Sequence, residues 1–581
     1  MPERSDRYKW VALSNTTMGM LMATINSSIV LIALPDIFRG IHLNPLLPGN
    51  ASYLLWMMMG FLVATAVLVV SFGRIGDMYG RVLMFNIGFA VFTVCSILLS
   101  ITWIQGSEAA MWLIAMRIGQ GVGGALLMGN SAAILTDAFP HDQRGLALGI
   151  NAVAAIAGSF IGLVLGGVLG PINWRLVFLV SVPVGLLGTV WSYWKLEERG
   201  ERHPAKIDWW GNLTFAVGLI LVLVSITYGI QPFGGHAMGW TNPETLVLLF
   251  GGLALLGVFA IVELRTPEPM FRLSLFKIRA FSCGAIATFL ASLGRGGLMF
   301  MLIIWLQGIW LPLHGYSFAN TPLWAGIYML PLTVGFLIAG PASGWLSDHF
   351  GARPFATGGM LVAALAFLLL EMLPVNFSYQ YFAGLLLLTG LGMGLFASPN
   401  QSGIMNSLPA RQRGVGAGMA ATFQNSAMVL SIGIFFSLMI IGLAASLPGT
   451  LQSGLQAQGV PHADATRISH LPPVGLLFAS FLGFNPIKEL LGPHVLGSLS
   501  ASHAAYLTGR GFFPSLISGP FLDGLHEAFD FAIACCLVAA GASWLRGGQY
   551  VHEVDAQPVR AAEEPAIESV EGEIALAVDG D

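Results

Sequence analysis

Residues 73–81 read GRIGDMYGR, from Gly73 through Asp77 and Gly80 to Arg81. A second stretch, GWLSDHFGAR, runs from Gly344 through Asp348 and Gly351 to Arg353. In each, an aspartate follows the first glycine by four residues, another glycine comes three later, and an arginine closes the turn. Glycine permits the tight turn. The aspartate is placed to cap the next helix or to pair with arginine near an interface. One such turn is an ordinary basic loop. Two matching turns in separated parts of the chain predict internal symmetry of the kind transporters carry.

What surrounds these turns is apolar. Of 581 residues, 55% are hydrophobic and only 10% charged, against roughly 25% charged in soluble chains. Twenty-six basic and 30 acidic side chains are too few to cover a water-facing surface of this size, which excludes an ordinary soluble enzyme. The net charge of −4 argues against a basic nucleic-acid binder. Cys95, Cys283, Cys535 and Cys536 all lie in apolar stretches and read as small hydrophobes. The sequence shows no His/Asp/Glu metal cluster, Walker pattern or nucleophile triad.

Fourteen apolar segments are long enough to cross about 30 Å of hydrocarbon. They fall near 11–35, 52–72, 82–104, 109–135, 144–168, 174–194, 208–230, 244–263, 280–311, 322–346, 354–373, 381–407, 415–445 and 526–546. They lack the alternation of a β-barrel. The first ends at Pro35 and Asp36 without a small-residue cleavage site, so it is expected to stay as a helix. Most Lys and Arg fall on alternate connections, and 231–243, 312–321 and 374–380 contain none. This places both termini in the cytoplasm of a multi-pass inner-membrane protein.

GRIGDMYGR resembles the hallmark loop of the major facilitator superfamily, and the fourteen segments resemble its fourteen-span drug:proton antiporter branch. RIGQGVGG at 117–124 is similar to the family's fourth-span arginine motif. IVLIALP at 29–35 and GLGMG at 390–394, followed by Pro399, Asn400 and Gln401, resemble the same branch. The resemblance implies an all-α integral membrane protein of the major facilitator fold, with 14 transmembrane helices. Two six-helix bundles would span 11–194 and 280–546, with two inserted helices at 208–263. A cytoplasmic tail at 1–10, a cytoplasmic linker at 195–207, a long external loop at 446–525 and a disordered cytoplasmic tail at 547–581 complete the plan. The apolar run 471–484 within the external loop is too short to span and reads as part of an external cap or as an interfacial segment.

The implied activity is export of lipophilic or amphipathic compounds by proton-coupled alternating access. The implied partners are a small-molecule substrate, protons and membrane lipids, with no cofactor, no metal, no nucleic acid and a monomeric protein. The two aspartate loops would gate. Arg117 is costly at membrane depth and therefore faces a cavity or polar partner; Gln120 lies beside it. Arg295 in span nine is similar. In span five, Gly158, Gly162, Gly166 and Gly167 form a surface for close helix contact and resemble the antiporter motif G-x-x-x-G-P-x-x-G-G, with Leu163 at the proline position.

Span one departs from the resemblance. The family pattern carries an aspartate where this chain has Asn26, and a threonine where it has Ser28. Asn26 hydrogen-bonds but does not exchange a proton near neutral pH. Glu371 and Asp530, near span ends, are the fallback proton sites. A facilitator, a differently coupled transporter and a non-transporting sensor remain alternatives.

Overall fold

The computed structural model describes residues 2–547 apart from 45, 48, 141–142, 199–207, 235, 237, 268, 270, 410–411 and 484. Side chains of 2–6, 51, 144–146, 152, 348, 413 and 414 also lie outside the description. Most of the linker expected at 195–207 and nearly all of the tail expected at 547–581 therefore lie outside the described residues.

Among the described residues, fourteen helices are long and apolar enough to cross a membrane. The first bundle holds α1 (Arg7–Gly40), α2 (Ser52–Tyr79), α3 (Arg81–Ser100), α4 (Gly106–Ala138), α5 (Ala147–Ile172) and α6 (Leu176–Lys195). Two inserted helices follow, α7 (Trp209–Gly229) and α8 (Pro243–Arg265). The second bundle begins with α9 (Arg279–Leu313), α10 (Thr321–Ser347), α11 (Ala352–Glu371), α12 (Tyr379–Asn406) and α13 (Val415–Ala457). Four short helices come next: α14 (His462–Ser469), α15 (Pro473–Phe481), α16 (Ile487–Ser498) and α17 (Ala501–Leu507). The last spanning helix is α18 (Phe512–Leu545). In hydrocarbon every backbone amide must bond within its own segment, which is why apolar stretches of this length become helices.

The two bundles repeat one packing scheme. α1 lies on α5 as α9 lies on α13, and α4 packs between α2 and α3 as α12 packs between α10 and α11. Between bundles, α5 meets α10 and α2 meets α13. The inserted pair leans on this second seam, touching both α2 and α13. Its attachment is aromatic: Phe215 of α7 and Phe259 of α8 meet Phe271, whose ring lies 5.7 Å from Phe423 of α13.

The largest departures from the boundaries read in the sequence are at α13 and α18. α13 continues to Ala457 and α18 starts at Phe512, so the connection between them shrinks from 446–525 to 458–511. The cause is direct packing past the expected ends. A Cβ on Gly454 would lie 2.2 Å from Leu516 Cδ1, and Ser446 Oγ donates to Asp523 Oδ2 at 2.6 Å. Within the connection, every residue of α15 is buried. Ser480 of α15 donates to the Gly308 carbonyl at 2.8 Å, inside a π-helical turn of α9 at Leu306–Trp310. The short apolar run is thus covered by protein.

Candidate functional site

Arg117 is 1% exposed at the middle of the first bundle. The close approach of α2, α3 and α4 is made by glycine: Gly121 faces the Phe61 backbone and Gly123 faces Gly88 and Phe92. Arg117 therefore has no path to water and takes its partners from the helices around it. Its Nη1 donates to Asn26 Oδ1 of α1 and to Gln120 Oε1 at 3.0 Å. Nε donates to the Met57 carbonyl of α2 at 3.3 Å, and the guanidinium sits 4.9 Å from the Phe61 ring centroid. Gln120 passes the chain on, donating to Ser96 Oγ of α3 at 2.8 Å. The cation bonds α1 and α2 from α4, α3 joins through Gln120, and each hydrogen-bonding partner is neutral. The Asn26 amide nitrogen is buried without an acceptor, so the network retains unused donor capacity. Ser28 stays with its own helix, donating to the Thr24 carbonyl at 2.8 Å.

The hallmark loop forms an ionic knot. α2 and α3 break at Gly80, whose φ of 124° suits glycine and strains any other residue. Arg81 Nε and Nη2 each lie 2.7 Å from Asp77 Oδ1, while Nη1 lies 2.5 Å from Asp137 Oδ2 at the end of α4. Glu198, in the segment after α6, accepts from the Arg81 and Val82 amides at 3.1 and 3.0 Å. It thus caps α3, the role that the sequence offered to Asp77. Gly73 lies against Gly129, so α2 and α4 touch there nearly backbone to backbone.

The matching loop is built differently. α10 and α11 break at Gly351, φ 84°, again a glycine conformation. The Asp348 side chain lies outside the described side chains. Arg353 stacks 3.8 Å over the Trp544 ring of α18 instead of making an ion pair with a described carboxylate. Gly344 faces Ser398 of α12.

Three of the four span-five glycines serve one contact and the fourth another. A Cβ on Gly158 would lie 3.1 Å from Leu21 O, one on Gly162 2.5 Å from Ile25 O, and one on Gly166 2.6 Å from Ile29 O. All three seat α5 on α1. Gly167 turns to the second bundle, against the Leu323 backbone of α10. Gly326 of α10 returns the contact, its Cβ position 2.9 Å from the Leu163 carbonyl. Leu163, which stands where the resemblance places a proline, is thus part of the contact between bundles.

The remaining sequence candidates lie apart from Arg117. Arg295 is half-buried on α9 and makes no hydrogen bond or ion pair among the described residues. Glu371 ends α11, half-buried, within electrostatic reach of Asp530 and His526 on α18. Both carboxyls belong to the second bundle, whereas the Asn26–Arg117 network belongs to the first.

Sequence reading passed over several side chains. Glu198 was visible only as one of several charges in a linker. Gln307 of α9 is fully buried and donates to the Ile32 carbonyl of α1 at 3.4 Å, a polar link between bundles. Arg546 is 6% exposed and donates to Asn400 Oδ1 of α12; Asn400 in turn donates to Thr288 Oγ1 of α9 at 2.7 Å. As the basic residue that closes the expected span 526–546, Arg546 carries no sign of burial in the sequence. Its access to the bundle needs the two glycines beside it, Gly284 and Gly403. Among the described residues no group of three His, Cys, Asp or Glu side chains could hold a metal ion.

The sequence profile of the Major Facilitator Superfamily matches residues 16–432. The tetracenomycin C resistance and export protein of Streptomyces glaucescens is 28% identical, with 91% of this chain and 90% of that protein covered. The multidrug transporter protein MdtP of Bacillus subtilis is 26% identical, with 91% of each covered. Among solved structures, a bacterial homologue of the human lysosomal transporter Spinster, inward-facing and unoccupied, superposes with a TM-score of 0.53. It has 16% identity, with 93% of this chain and 97% of that one covered.

Proposed function

The chain belongs to the major facilitator superfamily, a multi-pass secondary transporter of small molecules, and from that premise we propose that it exports lipophilic or amphipathic compounds by proton-coupled alternating access. In this reading it belongs to the fourteen-span drug:proton antiporter branch. It works as a monomer in the cell inner membrane with both termini in the cytoplasm. The relatives named for export and multidrug transport over nine-tenths of their length support this assignment.

The observation that carries it is the pair of reciprocal contacts between bundles, Gly167 on Leu323 and Gly326 on Leu163. Backbones that approach without side chains between them form a seam that can part and re-form. The Asp77–Arg81–Asp137 knot ties α2, α3 and α4 at the opposite, cytoplasmic end. Arg117 ties α1, α2 and α4 together, and Gln120 adds α3, so the bundle moves as a body.

The Asn26 position favours a second reading. A buried acid is the usual proton carrier in a membrane, and Asn26 stands in the place of one. With protons carried elsewhere, or not at all, the chain would be a facilitator or use another ion. Cells lacking their own efflux pumps and preloaded with a fluorescent lipophilic cation separate the readings. Export that stops on adding a protonophore supports proton coupling; export indifferent to it supports the second.

A further inference from the structure

Outside the Arg117 network, the described residues hold one pair of buried carboxyls that face each other. Asp208 precedes α7 and is 6% exposed; Glu263 lies in the last turn of α8 and is 3% exposed. Each has one oxygen occupied by a backbone amide. Asp208 Oδ1 accepts from Gly211 at 2.8 Å, and Glu263 Oε2 accepts from Phe271 at 2.9 Å. The other two oxygens, Asp208 Oδ2 and Glu263 Oε1, are buried with no donor among the described residues. They converge on one spot: a Cβ on Gly211 would press on both, lying 2.7 Å from Glu263 Oε1. The two side chains are within hydrogen-bonding reach of each other.

Two carboxylates in that arrangement repel each other in a medium that screens poorly, and neither free oxygen has a donor among the described residues. A single proton removes both defects, because one carboxyl then donates to the other. A metal ion fits less well. Among the described residues only these two free carboxylate oxygens face the spot beside Gly211, fewer than a hard cation requires.

We propose that Asp208 and Glu263 share one proton and form a proton-binding site at the cytoplasmic foot of the inserted helix pair. The site touches both sides of the α2–α13 seam. On one side Arg74 of α2 donates to the Pro269 carbonyl at 3.0 Å, and Ser71 bonds the Asn212 side chain. On the other, Phe271, whose amide holds Glu263, packs on Phe423 of α13. The charged groups acting on Glu263 among the described residues are Asp208 and Arg74. Around them, Gly211 and Asn212 of α7 and the Phe271 amide contribute no titrating group. Removing the proton leaves two like charges inside the joint between the inserted pair and the hallmark loop. Proton occupancy therefore governs how firmly that joint holds.

The test is infrared difference spectroscopy of the full-length protein in lipid at about pH 7, read at the C=O stretch of protonated carboxyls. Asp208→Asn and Glu263→Gln are near-isosteric, and each amide supplies a donor to the remaining carboxylate. Both variants therefore keep the contact without the proton. The expected result is loss of one carboxyl band per chain in either variant, and the same single loss in the double variant. Bands unchanged by both substitutions, or losses that add in the double variant, overturn the proposal. So does a band that sodium or calcium ions abolish in the unsubstituted protein, which would make the site a cation site. Should one variant fail to fold, the other and the cation titration still decide. None of these readouts depends on transport, so the result stands whether or not the protein exports with protons.

Discussion

Arg117 on α4 donates from Nη1 to the side-chain oxygen of Asn26 on α1, so a buried cation is held across two helices by a neutral amide. A carboxylate at that position would cancel the charge. Here the charge persists and is spread over Gln120, the Met57 carbonyl and the Phe61 face. Burying an unneutralised cation is costly, and the cost is tolerated at a place where four helices need a common anchor.

Asn26→Ala removes an acceptor from that cation and leaves the Nη1 donor short of a partner. The expected loss of stability is about 1–3 kcal/mol, read as an earlier thermal unfolding transition in detergent. Asn26→Asp restores an acceptor and adds an opposite charge. Its transition is expected above that of the alanine variant. A lower one would mean that the Asn26–Arg117 contact does not hold the helices.

Arg81→Ala frees Asp77 and Asp137 together. Since Arg81 is partly exposed, each pair contributes no more than about 1 kcal/mol, so the fold should survive. The consequence is local: thiol labelling of single cysteines at the cytoplasmic ends of α2 and α4 should quicken. Unchanged labelling would remove the knot from the gating account.

Gly162→Val places a side chain where Ile25 O and Ser28 Oγ lie 2.5 and 2.6 Å from the Cβ position. Overpacking of this kind costs about 1–3 kcal/mol, and thermal unfolding should show it. Gly167→Val strains the other contact, between bundles. It is expected to bias the protein toward separation of α5 from α10, seen as a longer distance between spin labels on their outer ends. No change in the distance distribution would mean that this seam does not gate.

Ser480→Ala removes the bond from α15 to the Gly308 carbonyl inside the π-helical turn. Amide exchange should accelerate through 306–310 and 473–481 while α1–α6 keep their protection. Equal exchange in the two proteins would show that α15 does not brace the turn.

How legible these features were depended on the distance between partners. Helices came from apolar length, and the repeated loop from Gly80 and Gly351, whose positive φ values write themselves into sequence as glycine. Gly158, Gly162 and Gly166 announced a contact surface by their spacing; that α1 is the helix they meet is tertiary and was invisible. Glu198 caps a helix begun 117 residues earlier, and no local signal joins the two. Asp208 opens the apolar segment 208–230 and Glu263 closes 244–263, and a carboxyl at the end of a span is ordinary when taken alone. Only the antiparallel pairing of α7 and α8 brings their free oxygens together. The ends of α13 and α18 were misjudged for a related reason: hydropathy reports where lipid ends, while Gly454 and Leu516 keep the helices paired beyond it.

The central claim, proton-coupled export, is tested most directly in sealed vesicles containing the purified protein, with a fluorescent lipophilic cation as substrate and a pH-sensitive dye inside. The account predicts that an imposed pH gradient drives the cation against its own concentration gradient while protons move the opposite way. Equilibration of the cation that ignores the pH gradient and moves no protons would contradict it.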